Sequence, residues 1–84
     1  MVVDVICALP WPCAEALSVA RCESTLRPTA VSWTGESFGL FQINSIHAYR
    51  FVGFWERWME PEVNTAWAFE LWNEQGWQPW ACRP

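Results

Sequence analysis

Chemistry in this 84-residue chain has to come from carboxylates, amides, hydroxyls and a single imidazole. Glu23 is the acid best placed to act. Ala16, Val19, Ala20 and Glu23 recur at helical spacing, which sets the carboxyl group at the end of an apolar face. Apolar surroundings disfavour a charged carboxylate and push its pKa upward. A carboxyl group that stays protonated towards neutral pH is a general acid, able to hand a proton to a leaving oxygen. A solvated carboxylate at a helix end is the plainer alternative. A second acid to pair with it is hard to find. Asp4 is the only aspartate and lies far off in sequence, and Glu36 falls in a turn-like stretch where solvation explains it equally well. His47 is the only histidine, and without a partner histidine or an acidic set at ligand spacing no metal is expected. No cofactor is expected either.

The four cysteines, Cys7, Cys13, Cys22 and Cys82, match neither a Cys-x-x-Cys redox motif nor the paired spacing of a zinc ribbon. Two disulfides in an oxidising compartment are the reading adopted, with Cys22 paired to Cys82 and Cys7 to Cys13 among three possible pairings. The first bridge would tie the C-terminal tail to the helix that carries Glu23. Four buried thiols packing as small hydrophobes are the alternative.

The elements that must position these groups can be read coarsely. Leu9-Pro10-Trp11-Pro12 breaks regular structure. A helix is expected from Cys13 to Glu23, with Pro12 as its first residue and Pro28 preventing continuation. Ser32-Trp33-Thr34-Gly35-Glu36-Ser37 reads as the turn of a short hairpin. A short helix is expected over Ser45–Phe51, capped by Ser45. The clearest helix runs from Pro61 to just before Gly76, with Val63, Ala66, Trp67, Glu70 and Leu71 as its stripe. Two main helices, a short hairpin and a short third helix make one compact α+β domain, mostly helical, over residues 1–84.

Composition narrows the partners. The net charge is −4 and all five basic residues are arginine, which argues against nucleic acid, whose binding rests on neutralising phosphates. It also argues against simple attraction to an anionic membrane. No apolar run is long enough for a membrane span, and Met1–Cys7 lacks the basic region and apolar core of a signal peptide. If the protein is exported, its signal was removed or a phage delivers it by another route. With 52% hydrophobic residues the chain is no disordered segment. A domain this small has a marginal core, and its eight tryptophans and four cysteines are the visible compensation. Trp67 and Trp72 read as core, while Trp33, Trp77 and Trp80 lie nearest the motifs described next.

Ala20-Arg21-Cys22-Glu23-Ser24, followed by Gly39-Leu40-Phe41-Gln42-Ile43-Asn44, resembles the signature of lytic transglycosylases, which belong with goose-type lysozymes in the lysozyme-like superfamily. Asn64-Thr65-Ala66 and Gly76-Trp77-Gln78-Pro79-Trp80 resemble that family's last helix and C-terminal stretch. The match covers about residues 13–82, with four motifs in order.

The resemblance implies cleavage of the β-1,4 bond between N-acetylmuramic acid and N-acetylglucosamine in peptidoglycan, with Glu23 as the catalytic acid. Goose-type enzymes carry an acidic residue where this chain has Asn44. A transglycosylase needs no such group: its one glutamate protonates the leaving oxygen and then serves as base for the muramic acid 6-hydroxyl, giving a 1,6-anhydro end. That product is therefore preferred over hydrolysis, in which Glu36 would be the candidate second carboxylate. A non-catalytic module that binds wall glycan is the alternative from another class. The resemblance further implies substrate contacts for Gln42, Ser24, Asn44 and Tyr49, and Trp33, with Trp77 and Trp80, is a candidate for stacking on sugar because its indole lies near the motifs. Each has an ordinary structural alternative: backbone bonding for Gln42, helix capping for Ser24, packing for Tyr49. The partner expected is a peptidoglycan strand, the form a monomer, and the location secreted, wall-associated or phage-delivered, as for an endolysin.

Overall fold

The structure, a computed structural model, describes residues 1–84. Pro12 is the cap of the helix that carries Glu23, α2, which runs over Cys13–Ser24. The helix ends because Thr25 and Leu26 both turn into the left-handed region, with φ of 53° and 61°. Its buried face is Ala16, Val19, Ala20 and Ser24. Glu23 therefore stands at the edge of the apolar face, half-buried, while its neighbour Ser24 takes the fully buried position.

Before α2 lies α1, Val2–Cys7, which the sequence reading did not anticipate. Its β-branched run has weak helix propensity, and tertiary contacts hold it instead. A disulfide joins Cys7 to Cys13 across the proline break. Inside that break, Trp11 Nε1–H donates to the carbonyl of Ile6 at 2.7 Å.

The sheet is a two-residue antiparallel pair, β1 (Ser37–Phe38) and β2 (Ile43–Asn44), in the register Ser37 opposite Asn44 and Phe38 opposite Ile43. An isolated bridge between Val31 and Phe38 extends the ribbon on the other side. Two turns result. Ser32–Ser37 closes the first, with Ser32 N–H donating to Ser37 O at 2.9 Å. Gly39-Leu40-Phe41-Gln42 forms the second, and Leu40 and Phe41 are fully buried in it.

After β2 the expected Ser45–Phe51 helix is only a 3₁₀ turn, Ser45–His47. Its cap is Asn44 rather than Ser45: Asn44 Oδ1 accepts from Ile46 N–H at 3.0 Å. A separate short helix, α3, spans Phe54–Arg57 after Gly53, whose φ of 76° breaks the path. The last helix, α4, is Pro61–Gln75, with proline at its start and Gly76 at its end. Its buried residues are Asn64, Thr65, Ala68 and Leu71. The expected stripe through Ala66 and Glu70 is thus rotated, and those two residues are exposed. The rotation follows from Asn64, a polar residue drawn inward by backbone partners described below.

Aliphatic and aromatic residues share the core. Trp11 links its aromatic part, with ring centroids 5.4 Å from Phe41, 5.5 Å from Phe69, 5.9 Å from Trp72 and 5.5 Å from Trp77. Such pairs contribute about 0.5–1.5 kcal/mol each beyond their buried area. The result is a mostly helical α+β domain, and no helix is long and apolar enough to cross a membrane.

Candidate active site

Three segments meet beside the end of α2 and enclose a cleft of about 240 Å³. Glu23 comes from α2, Ser37 from β1, Gln42, Ile43 and Asn44 from the second turn and β2, and His47 from the 3₁₀ turn. Leu71 of α4 and the tail residues Pro79, Trp80 and Ala81 complete the lining.

The tail reaches the cleft because two devices hold it. Cys82 is bridged to Cys22, the residue before Glu23, with a Cα separation of 6.0 Å. Trp80 is buried, and its Nε1–H donates to Phe41 O at 2.8 Å. Closing a loop of this length stabilises the fold by about 4 kcal/mol in the chain-entropy account.

Within this frame the Glu23 carboxylate accepts a hydrogen bond from Cys82 N–H, to Oε2 at 3.1 Å. Two influences oppose each other. Burial raises the Glu23 pKa above the ordinary carboxylate value, and the Cys82 and Ala81 amides pull it back down. Burial wins, so the group holds its proton to higher pH than a solvated glutamate.

The second turn owes its shape to Asn64, which is 0% exposed. Asn64 Oδ1 accepts from Phe41 N–H at 2.8 Å, while Nδ2 donates to Phe38 O and Trp58 O, each at 3.0 Å. Gly39 makes this possible. Its φ is 83°, and a Cβ there would lie 2.2 Å from Asn64 Nδ2. Gln42 is also left-handed, with φ of 51°, a conformation that costs a non-glycine residue about 1–3 kcal/mol. Its Nε2–H₂ group donates to Ala30 O at 3.0 Å and Gly39 O at 2.9 Å. With both donors spent on the turn, the amide oxygen is the polar atom left for the cleft.

Residues 11–82 match the family described as lysozyme-like domain. The chain belongs to that family. Comparison of the chain with the curated proteins and with the solved structures found no match.

In this lysozyme-like domain the residues singled out from sequence divide into two groups. Glu23, Gln42 and Asn44 come together in the cleft. Ser24, Tyr49, Trp33 and Glu36 lie outside its lining. The Ser24 hydroxyl is buried and donates back along the helix to Ala20 O at 3.0 Å. Trp33 is 97% exposed and Tyr49 85% exposed. Glu36 is exposed in the first turn, where its N–H donates to Ser32 Oγ at 3.2 Å and its carbonyl accepts from Ser45 N–H at 2.8 Å. The cysteines pair as Cys7–Cys13 and Cys22–Cys82, and none is free.

Sequence reasoning missed Ser37, His47, Leu71, Pro79 and Ala81 as cleft residues. Ser37 was read as part of a turn, and the register that sets it opposite Asn44 is visible only in the structure. For the tail, the Cys22–Cys82 pairing and the Gly76–Trp80 motif were the signals in the sequence. Arg50 reaches α4 and pairs with Glu70 at 2.7 Å and with Glu74.

Proposed function

We propose that this lysozyme-like domain cleaves the β-1,4 bond between N-acetylmuramic acid and N-acetylglucosamine in peptidoglycan as a lytic transglycosylase, with Glu23 as acid and then base. The observation that carries the proposal is the carboxyl inventory of the cleft: Glu23 is its one carboxyl group, half-buried and with a raised pKa.

The steps follow from that group. Protonated Glu23 gives its proton to the bridging oxygen, and the bond from the muramyl C1 to that oxygen breaks. The N-acetyl oxygen of the same sugar supports the electron-poor C1. Glu23, now a carboxylate, takes the proton of the muramyl 6-hydroxyl as its oxygen bonds to C1. A 1,6-anhydro end forms and Glu23 is protonated again, so no external water is consumed. The Cys82 amide steadies the carboxylate between the two proton transfers. Hydrogen bonds to a charged acceptor are the stronger kind. The remaining polar wall, Ser37, Gln42 and Asn44, is neutral and suited to hydroxyl and acetamido groups. Outside the cleft, Trp33 and Tyr49 offer exposed rings to flanking sugars. Two disulfides fit action in an oxidising location, by secretion, at the wall or after phage delivery.

The test is digestion of purified peptidoglycan by the native chain and by Glu23→Gln, with released fragments weighed by mass spectrometry. Anhydro-muramyl ends made only by the native chain are expected. Reducing ends instead would mean a hydrolase, with Glu36 the first base to examine. Equal digests from both proteins would remove Glu23 from the mechanism. Binding without release by either would make the domain a glycan-binding module.

A further inference from the structure

Of the ten residues lining the cleft, two titrate: Glu23 and His47. Glu23 has been given its task. The imidazole has none, and neither of its ring nitrogens is hydrogen-bonded within the chain. We infer that His47 is the second proton-handling group of the cleft, a neutral imidazole that accepts a hydrogen bond from a sugar hydroxyl while Glu23 serves the glycosidic oxygen. The inference rests on the Glu23 reading and adds a substrate-contacting residue to it.

The backbone fixes where the imidazole stands. His47 ends the 3₁₀ turn that Asn44 caps, and its carbonyl accepts from Arg50 N–H at 3.0 Å and Phe51 N–H at 3.3 Å. Its ring lies against Phe51, centroids 6.2 Å apart. A ring held on one side by an aromatic and open on the other to a cleft presents its nitrogens to whatever fills that cleft.

The surroundings favour an acceptor over a cation. Partial burial and then the Arg50 guanidinium lower the His47 pKa, and Glu74 opposes them weakly. Glu70 and Glu74 of α4 are already engaged by Arg50, which blunts their pull on the imidazole. Glu23, across the cleft, is uncharged in its proton-donating state. These are the charged groups near His47 from the turn itself, from α4 and from α2. A neutral imidazole carries one nitrogen lone pair able to accept a hydroxyl proton in a hydrogen bond. Protonation would turn that acceptor into a second donor and break the match.

Two titrations then bound activity from opposite sides. Glu23 must be protonated, which fails as pH rises, and His47 must be neutral, which fails as pH falls. The profile of kcat/KM against pH on solubilised peptidoglycan strands is expected to be bell-shaped, since it reports groups of the free enzyme. His47→Gln is expected to lower kcat/KM about tenfold at the optimum, the scale of one hydrogen bond, and to abolish the acidic limb while keeping the alkaline one. A His47→Gln profile with both limbs intact would overturn the inference. So would a uniform fall at every pH accompanied by a lower Tm, which would mark the residue as purely structural.

A second measurement does not depend on the variant folding. His47 is the only histidine, so its ring carbon and nitrogen resonances can be followed singly by NMR in the Glu23→Gln chain. Soluble muramyl disaccharide-peptides are expected to shift those resonances, and unmoved resonances at saturation overturn the inference. Should Glu23→Gln digest peptidoglycan as well as the native chain, the Glu23 reading fails. Should Glu23→Gln be inactive while His47→Gln matches the native profile, only the role of His47 fails.

Discussion

The backbone amide of Cys82 lies 3.1 Å from Oε2 of Glu23, and Cys82 is bonded through its side chain to Cys22, the residue next to Glu23. One disulfide therefore holds both the acid and the donor that acts on it. Cys7–Cys13, by contrast, staples α1 to α2. Removing the two bridges should have different consequences. A Cys22→Ser/Cys82→Ser double variant should lose about 4 kcal/mol of unfolding free energy, and a Cys7→Ser/Cys13→Ser variant, with its shorter loop, about 2 kcal/mol. At a temperature where both remain folded by circular dichroism, peptidoglycan release should fall much further in the first. Equal activity in the two variants would mean that the tail stays on Glu23 without its covalent tie.

Burial of Glu23 has a stability signature with a definite sign. Its folded pKa lies above the unfolded value of 4.5, so the folded state holds more protons in the interval between them. Stability contributed by the protonated form is complete below the unfolded pKa and is lost as pH rises through the folded pKa. Glu23→Gln removes that loss, and its side-chain oxygen can still accept from Cys82. The variant should therefore melt at a higher temperature than the native chain at pH 7, with the gap closing below about pH 4. Melting curves at both pH values check this. A variant less stable at pH 7 would show that the amide bonds to the carboxylate outweigh its burial.

The turn that carries Gln42 depends on one glycine and one asparagine. Asn64→Ala strands the Phe41 amide and two carbonyls in the interior, which should cost on the order of 3 kcal/mol. Gly39→Ala should be at least as damaging, because it both forces a side chain into a φ of 83° and drives Cβ into Asn64. Combining the two substitutions should cost less than their sum, since shortening Asn64 relieves part of the clash at Gly39. Urea unfolding of the single and double variants measures that coupling. Strict additivity would mean that the Trp58 carbonyl, 2.6 Å from the same Cβ, is the decisive obstacle.

These residues also mark how far the sequence could be read. The helix around Glu23 was legible from Pro12 and its apolar period, and the helix from Pro61 from its proline start and glycine end. The face of α4 was not, because Asn64 and Thr65 are polar by type yet 0% and 1% exposed. Periodicity counts an asparagine as surface, and only its long-range partners at Phe38, Phe41 and Trp58 turn it inward. The helix of Val2–Cys7 escaped for the converse reason, since its order comes from Cys13 and Trp11 rather than its own residues. In the site, Glu23, Gln42 and Asn44 were visible as types within motifs. His47 was not, since its approach to Glu23 is set by a 3₁₀ turn, whereas the Cys22–Cys82 pairing already tied the tail to the Glu23 helix.

Ser37 offers the sharpest test of the single-carboxylate cleft. It lines the same small space as Glu23 and stands opposite Asn44 in the hairpin register. Ser37→Asp would set a second carboxyl group there. Two carboxyl groups confined together disfavour double ionisation, so the Glu23 pKa should rise further. The alkaline limb of the pH profile should then move to higher pH. A second carboxylate is also what a hydrolytic route uses to activate water. Fragments with reducing ends should therefore appear beside anhydro ends in the variant's digest. An unmoved alkaline limb would mean that the side chain at position 37 faces away from Glu23, and the polar wall assigned to Ser37 would have to be redrawn around Gln42 and Asn44.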